Sequence, residues 1–302
     1  MLQFFKQTKF DFVGNRKYAY GLTALFILIG IVSLSIWGLK WSIDFGGGTL
    51  VEVRFSQPVK TDAIRSALAK IQLGESIIQE VESGGLDYII RAGSAEKASE
   101  QTGNQIVATL ESSFPDQKIE VLRRETVGAS VSRDFVNRAF WAVVWASLGM
   151  IVYMAWRFQF KYAVAGIFAM LHDVFIVLGI LSLFHKEISL VVIAAVLTIM
   201  GYSMNDTIII YDRIRENLRL HRKLTFPEVI NLSINQTLSR TTLTVLTVFI
   251  VVLCLFFFGG TVIHDFAFTM IIGVISGTFS SIYVASPIVL EWINWERRHA
   301  KR

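Results

Sequence analysis

The sequence is short of the residues from which catalytic and redox sites are usually built. Its single cysteine, Cys254, lies in an apolar run, so neither an intrachain disulfide nor a thiolate metal cluster can form within the chain. Between Ser42 and Arg138 there is no histidine, cysteine or tryptophan, and the carboxylates there are spread along polar faces as solvated charge. No nucleophile set, metal cluster or phosphate loop is present, which leaves an enzyme, or any cofactor, without support. What is abundant is apolar. Of 302 residues 53% are hydrophobic and the mean hydropathy is +0.52, outside the range of soluble globular chains. The net charge of +5 would suit nucleic acid, but the basic residues cluster at the ends of apolar runs, which points to membrane topology instead.

A bilayer core of ~30 Å needs roughly 20 apolar residues at helical rise. Six stretches meet this: Tyr18 to Trp37, Ala139 to Trp156, Ala163 to Phe184, Ile188 to Tyr211, Thr241 to Phe258 and Phe266 to Leu290. The first follows Lys6, Lys9, Arg16 and Lys17 but precedes no small-residue cleavage site, so it reads as an uncleaved anchor. Basic residues accumulate on the cytoplasmic side of short loops. One side carries the N-terminal cluster, Arg157 and Lys161, Arg213 to Lys223, and Arg297 to Arg302; the short loops of the other carry only Lys186. Residues 1–17 and 291–302 are therefore expected in the cytoplasm, 38–138 on the opposite side, and 139–290 as spans two to six with a basic hairpin at 212–239.

The segment after the first span opens with Asp44-Phe45-Gly46-Gly47-Gly48-Thr49, where glycines permit a tight entry into a strand. A strand over Leu50 to Phe55 follows, then a helix over Thr61 to Ile71, a hairpin of Ser76 to Glu82 and Leu86 to Arg91 through Ser83-Gly84-Gly85, a helix from about Ala95 to Ser112, and a strand over Lys118 to Arg123. The order β-α-β-β-α-β is the ferredoxin-like α+β pattern. The expected class is a polytopic α-helical membrane protein of six transmembrane helices, with this domain between the first and second.

An ionisable group inside an apolar span is expensive and marks a functional hypothesis. Asp173, beside His172, lies near the middle of the third span, and Asp206 in the cytoplasmic half of the fourth. Thr198, Tyr202, Asn205 with Asp206, Ile209 and Arg213 recur at spacings of three and four, a face expected to point into the bundle, with Ser203 and Thr207 adding hydroxyls. Burial penalises a charged carboxylate and a nearby guanidinium favours it, so a moving arginine would act as a switch. Arg240, opening the fifth span, reads either as that partner or as an interface anchor. Asp206 reads as a proton carrier or as a tertiary hydrogen bond. The adjacent His172 and Asp173 should point to different helical faces. In the cytoplasmic hairpin, Thr225-Phe226-Pro227-Glu228 supplies a capping box, and the hairpin is expected to lie along the membrane surface. Gly273 and Gly277 form a GxxxG, read as packing within the bundle.

Gly201-Tyr202-Ser203-Met204-Asn205-Asp206-Thr207 followed by Asp212-Arg213-Ile214-Arg215-Glu216-Asn217 resembles the fourth-span signature of the SecD/SecF family, a branch of the resistance-nodulation-division superfamily. The resemblance extends to Asp44 to Thr49, Leu171-His172-Asp173 and Ser280-Ser281-Ile282-Tyr283-Val284-Ala285. It implies one half of a twelve-span unit with SecD, beside the SecYEG channel in the bacterial inner membrane. That unit uses the proton motive force to help pull or release a translocating polypeptide on the periplasmic side, with protons as the coupling ion and no cofactor. It also implies that Asp206 and Arg240 are the proton-relay groups, with Asp173, His172, Asn205, Ser203 and Thr207 in second place, and that Asp44, Phe45, Gly46, Gly47 and Gly48 form a structural or gating motif. A further relay aspartate belongs to SecD. The rival readings are a small-molecule antiporter of the same superfamily and a scaffold of the translocase.

Overall fold

The computed structural model describes residues 8–81, 84–92 and 100–299. Lys6, Glu82, Ser83, the expected helix start at Ala95, Lys301 and Arg302 lie outside them. Along the chain the elements are α1 (Arg16–Ile36), β1 (Lys40–Trp41), α2 (Ile43–Gly46), β2 (Gly48–Phe55), α3 (Thr61–Ala69), β3 (Ile77–Glu80), β4 (Asp87–Ala92), α4 (Glu100–Ser113), β5 (Ile119–Val127) and α5 (Ala129–Arg157). There follow α6 (Phe160–Leu183), β6 (Glu187–Ile188), α7 (Leu190–Leu220), α8 (Phe226–Phe258), α9 (Gly260–Ser280), a π-helical turn (Ser281–Ala285) and α10 (Ser286–His299). The chain divides into two compact units: a helical one of residues up to 40, 143–187 and 191 onward, and a second of 41–142 with 188–190.

The second unit is built on a four-stranded antiparallel sheet in the order β3-β4-β2-β5. With the helices α3 and α4, this is the ferredoxin-like arrangement of β-α-β-β-α-β. Alternation in the central strand β2 decides the packing. Val51, Val53 and Phe55 face a core shared with Ile64, Leu68, Tyr88, Ile90, Ile106 and Leu110, while Leu50 joins Ile43, Ile89 and Val127 in a smaller cluster. Tyr88 keeps its hydroxyl satisfied inside that core by donating to the Val59 carbonyl. Arg54 and Asp87 are cross-strand partners and form a two-pronged ion pair at 2.7 and 2.6 Å. That pairing holds the Asp87 carboxyl below the usual carboxylate range.

In the helical unit, six helices are long and apolar enough to cross a membrane: α1, α5, α6, α7, α8 and the run from Ile263 to His299. Long helices whose apolar side chains stay exposed, such as Trp156 at 85% and Phe258 at 87%, are the pattern of a surface facing lipid. Helix α6 packs against α1 and α9. Where α1 meets α6, a Cβ on Gly179 would stand 2.7 Å from the Gly30 Cα, so only glycine permits that approach. Nearby Ser33 donates to Ser182, whose own hydroxyl donates to the Gly38 carbonyl, a hydroxyl chain that satisfies polar groups without water.

Two regions depart from the sequence expectation. Residues 212–239 do not form a separate surface element: α7 runs on to Leu220 and α8 begins at Phe226, so the connection is only 221–225. Pro227 in the first turn and Glu228, which accepts from the Thr225 N–H at 2.7 Å, start α8 there. The last span is not uniform either, because Pro287 has no N–H to give the carbonyl of Tyr283, and the helix widens into a π turn over those residues.

Candidate functional site

Asp173 sits in the middle of α6 and is 1% exposed. Its Oδ2 accepts from the hydroxyls of Ser203 on α7 and Ser280 on α9, each at 2.6 Å, and its Oδ1 accepts from Ser276 on α9 at 2.7 Å. His172 Nδ1 lies 3.1 Å from Oδ1 and donates there when that nitrogen carries the proton. The adjacent pair therefore converges on one point rather than facing apart, because the imidazole folds back along the helix. His172 Nε2 is buried with no partner among the described residues. One acid thus ties three helices, and the glycines of α9 make room for it: added Cβ atoms on Gly277 and Gly273 would stand 2.9 Å from the Ser203 Cβ and 2.2 Å from the Ile199 Cδ1. Serines at positions 276 and 280, four apart beside the glycines of α9, are the sequence signal for this node, but their spacing alone does not show that they share one carboxylate.

Asp206 is equally buried, at 1% exposure, yet neither carboxylate oxygen has a hydrogen-bond partner among the described residues. The hydroxyl residues on either side of it in α7 are both engaged. Ser203 holds Asp173, and Thr207 shares a 2.9 Å hydrogen bond with Ser281, the first residue of the π turn. Arg240 on α8 is exposed and makes no ion pair with Asp206, although its charge is near enough to act on it electrostatically. The face expected to point inward is corrected. Thr198 and Asn205 are exposed, with Tyr202, Ile209 and Arg213 only half-buried, whereas Ile199, Ser203, Asp206, Thr207 and Ile210 form the buried face. Its cause is the pair of glycines on α9, which accept Ile199 and Ser203 and so set the rotation of α7.

In the second unit the glycine run is a tight corner. Ser42 caps α2 by accepting the Asp44 N–H at 3.2 Å, and Gly47 and Gly48 take φ of 68° and 131°, angles open to glycine, as the chain enters β2. The Asp44 side chain accepts the N–H of Leu190 at 2.9 Å, so this acid holds the stretch 188–190 within the unit. Phe45 stacks edge-on to Trp41.

Six apolar helices, two fully buried acids and a small antiparallel sheet domain define a multi-pass membrane protein organised around ionisable groups in its spans. The chain belongs to the SecF family of protein-export membrane proteins. The family described as protein export membrane protein SecD/SecF, C-terminal, matches residues 106–295, and the SecD/SecF GG motif matches 32–59. The chain is 42% identical over 287 residues to the protein translocase subunit SecF of Desulfurispirillum indicum, covering 93% of this chain and 91% of that one. It is 39% identical over 292 residues to SecF of Escherichia coli O157:H7, covering 96% and 90%. The crystal structure of SecDF, a translocon-associated membrane protein from Thermus thermophilus, superposes with a TM-score of 0.84 at 38% identity over 95% of this chain. The chain spans only 39% of the length of that SecDF chain.

Proposed function

We propose that the chain is the six-span half of a proton-coupled accessory unit of protein export, completed by a SecD partner and working beside the SecYEG channel on a translocating polypeptide. The observation that carries this reading is the contrast in the bundle: Asp206 is buried with both oxygens open, and a cation, Arg240, stands near without touching it. Such an acid gains or loses a proton without breaking a hydrogen bond, and each change alters its attraction for the helix that carries Arg240. The SecDF relative is described as translocon-associated, which supports the export context, and the part of SecDF that this chain does not cover corresponds to the room for a partner. Positive charge gathered on one side supports cytoplasmic termini in the bacterial inner membrane and a periplasmic position for the sheet domain, between α1 and α5 in the chain.

The mechanism has three steps. Protonation of Asp206 from the periplasmic side removes its charge and its attraction for Arg240, α8 shifts, and loss of the proton toward the cytoplasm restores that attraction while the periplasmic domain moves against the polypeptide. One charge crossing 100 mV carries ~2.3 kcal/mol, enough to bias a two-state element about fifty-fold. Export into membrane vesicles with ATP held constant tests it. Asp206→Asn should assemble with its partner yet lose the stimulation that a proton gradient gives, and undiminished stimulation would overturn the reading.

A further inference from the structure

At the opposite end of the bundle from residues 221–225 lies a second polar group. Lys186, in the loop after α6, donates to Asp265 on α9 at 2.8 Å, and His264 Nδ1 is 3.4 Å from both. From Asp265 a line of small and polar residues descends one face of α9 at spacings of three and four: Thr269, Gly273, Ser276 and Ser280. Thr269 is fully buried and donates to the Asp265 carbonyl at 2.6 Å; Ser276 and Ser280 are bound to Asp173. The line is interrupted once, at Gly273. There Ile199 of α7 fills the notch so closely that an added Cβ would stand 2.2 to 2.7 Å from three of its carbons. Ile199 is 1% exposed and lies one turn before Ser203, whose hydroxyl is bound to Asp173 and which precedes Asp206 by three residues. Beyond the plug lies the His172 Nε2, which has no hydrogen-bond partner among the described residues and whose side chain is only 8% exposed.

We infer that Ile199, seated on Gly273, is a hydrophobic gate between the Lys186–His264–Asp265 cluster and the hydroxyls around Asp173, one turn of α7 before Asp206. An apolar constriction stops ions and protons because a polar species has nothing there to bond, and it opens when the side chain leaves or acquires a polar atom. On α9 the glycine is what lets the isoleucine enter; on α7 a rotation of the helix is what would withdraw it. The gate rests on the proton-coupled reading above, and it names the place where that coupling is held shut.

The test uses the isostere pair valine and threonine at this position. The chain is reconstituted with its SecD partner into vesicles loaded with a pH-reporting dye, and proton entry is followed after an acid step outside. Ile199→Thr should raise passive proton entry on the order of tenfold over the native protein. Ile199→Val, with the same shape as threonine and no hydroxyl, should stay sealed, and adding Asp265→Asn to Ile199→Thr should return entry toward the native rate. Equal leaks from the valine and threonine variants would overturn the gate, since a cavity rather than polarity would then be responsible. So would an unchanged rate in folded Ile199→Thr, or a leak indifferent to Asp265→Asn. The assay requires no export. A failed gate therefore leaves the Asp206 result standing, and an Asp206→Asn variant with full proton-stimulated export sinks the coupling role whatever the flux shows.

Discussion

Two acids lie at equal burial in one bundle, and the protein treats them in opposite ways. Asp173 is surrounded by three serine hydroxyls and an imidazole drawn from α6, α7 and α9, so its oxygens are fully engaged. Asp206, one turn along α7 from Ser203, is given none among the described residues. A buried carboxylate with all its donors is a rivet: any change of protonation must break bonds that hold helices together. A buried carboxylate without donors adds little to the fold and is free to change state. The pair teaches that depth in the membrane does not by itself mark a working group, and that the count of donors separates an acid that assembles the bundle from one the bundle leaves available.

That contrast can be broken or sharpened by substitution. The largest loss of stability should follow Asp173→Leu, which leaves buried hydroxyls on two helices and an imidazole without their acceptor, at about 3–5 kcal/mol; thermal unfolding in detergent measures it, and a loss under about 1 kcal/mol would mean the node is not structural. Next comes Gly277→Ala, whose Cβ would press on Ser203 and pull its hydroxyl from Asp173. Overpacking of this kind costs about 1–3 kcal/mol, read in the same melt. In the sheet unit, where solvent screens charges, Arg54→Ala should cost about 1–2 kcal/mol, because Arg54 is half-exposed though Asp87 is not. The sign of its pH dependence follows from Asp87, whose carboxyl Arg54 holds below the usual carboxylate range. The stabilisation is present above the unfolded carboxylate value and is lost as pH falls below it, through the lowered value of the folded state, and Arg54→Ala should flatten that fall in acid unfolding. Asp206→Asn should have the smallest effect on stability, under about 1 kcal/mol, since no bond is lost.

Much of this was legible in the chain itself. The run of apolar stretches announced the spanning helices, and the alternation in Leu50 to Phe55 with the periodicity of Thr61 to Ile71 announced an α+β domain. Element ends were less legible. Strand β5 runs to Val127 because its partner β2 begins at Gly48, a pairing that Lys118 to Arg123 alone does not reveal. The rotation of α7 was misread for a tertiary reason: polarity at Thr198 and Asn205 suggested an inner face, but the glycines of α9 turn Ile199 and Ser203 inward instead. His172 and Asp173 were read as facing apart because sequence spacing says nothing of an imidazole folding back to its neighbour. The saturation of Asp173 was hidden because its donors come from residues 30 to 107 positions away.

Infrared spectroscopy of the reconstituted protein, following the carboxylic C=O stretch as pH and membrane potential are varied, tests the division of labour between the two acids most directly. The account predicts a buried carboxyl band that comes and goes with conditions, vanishes in Asp206→Asn and survives in Asp173→Asn. A band that belongs to Asp173, or the absence of any buried carboxyl that changes state, would contradict it.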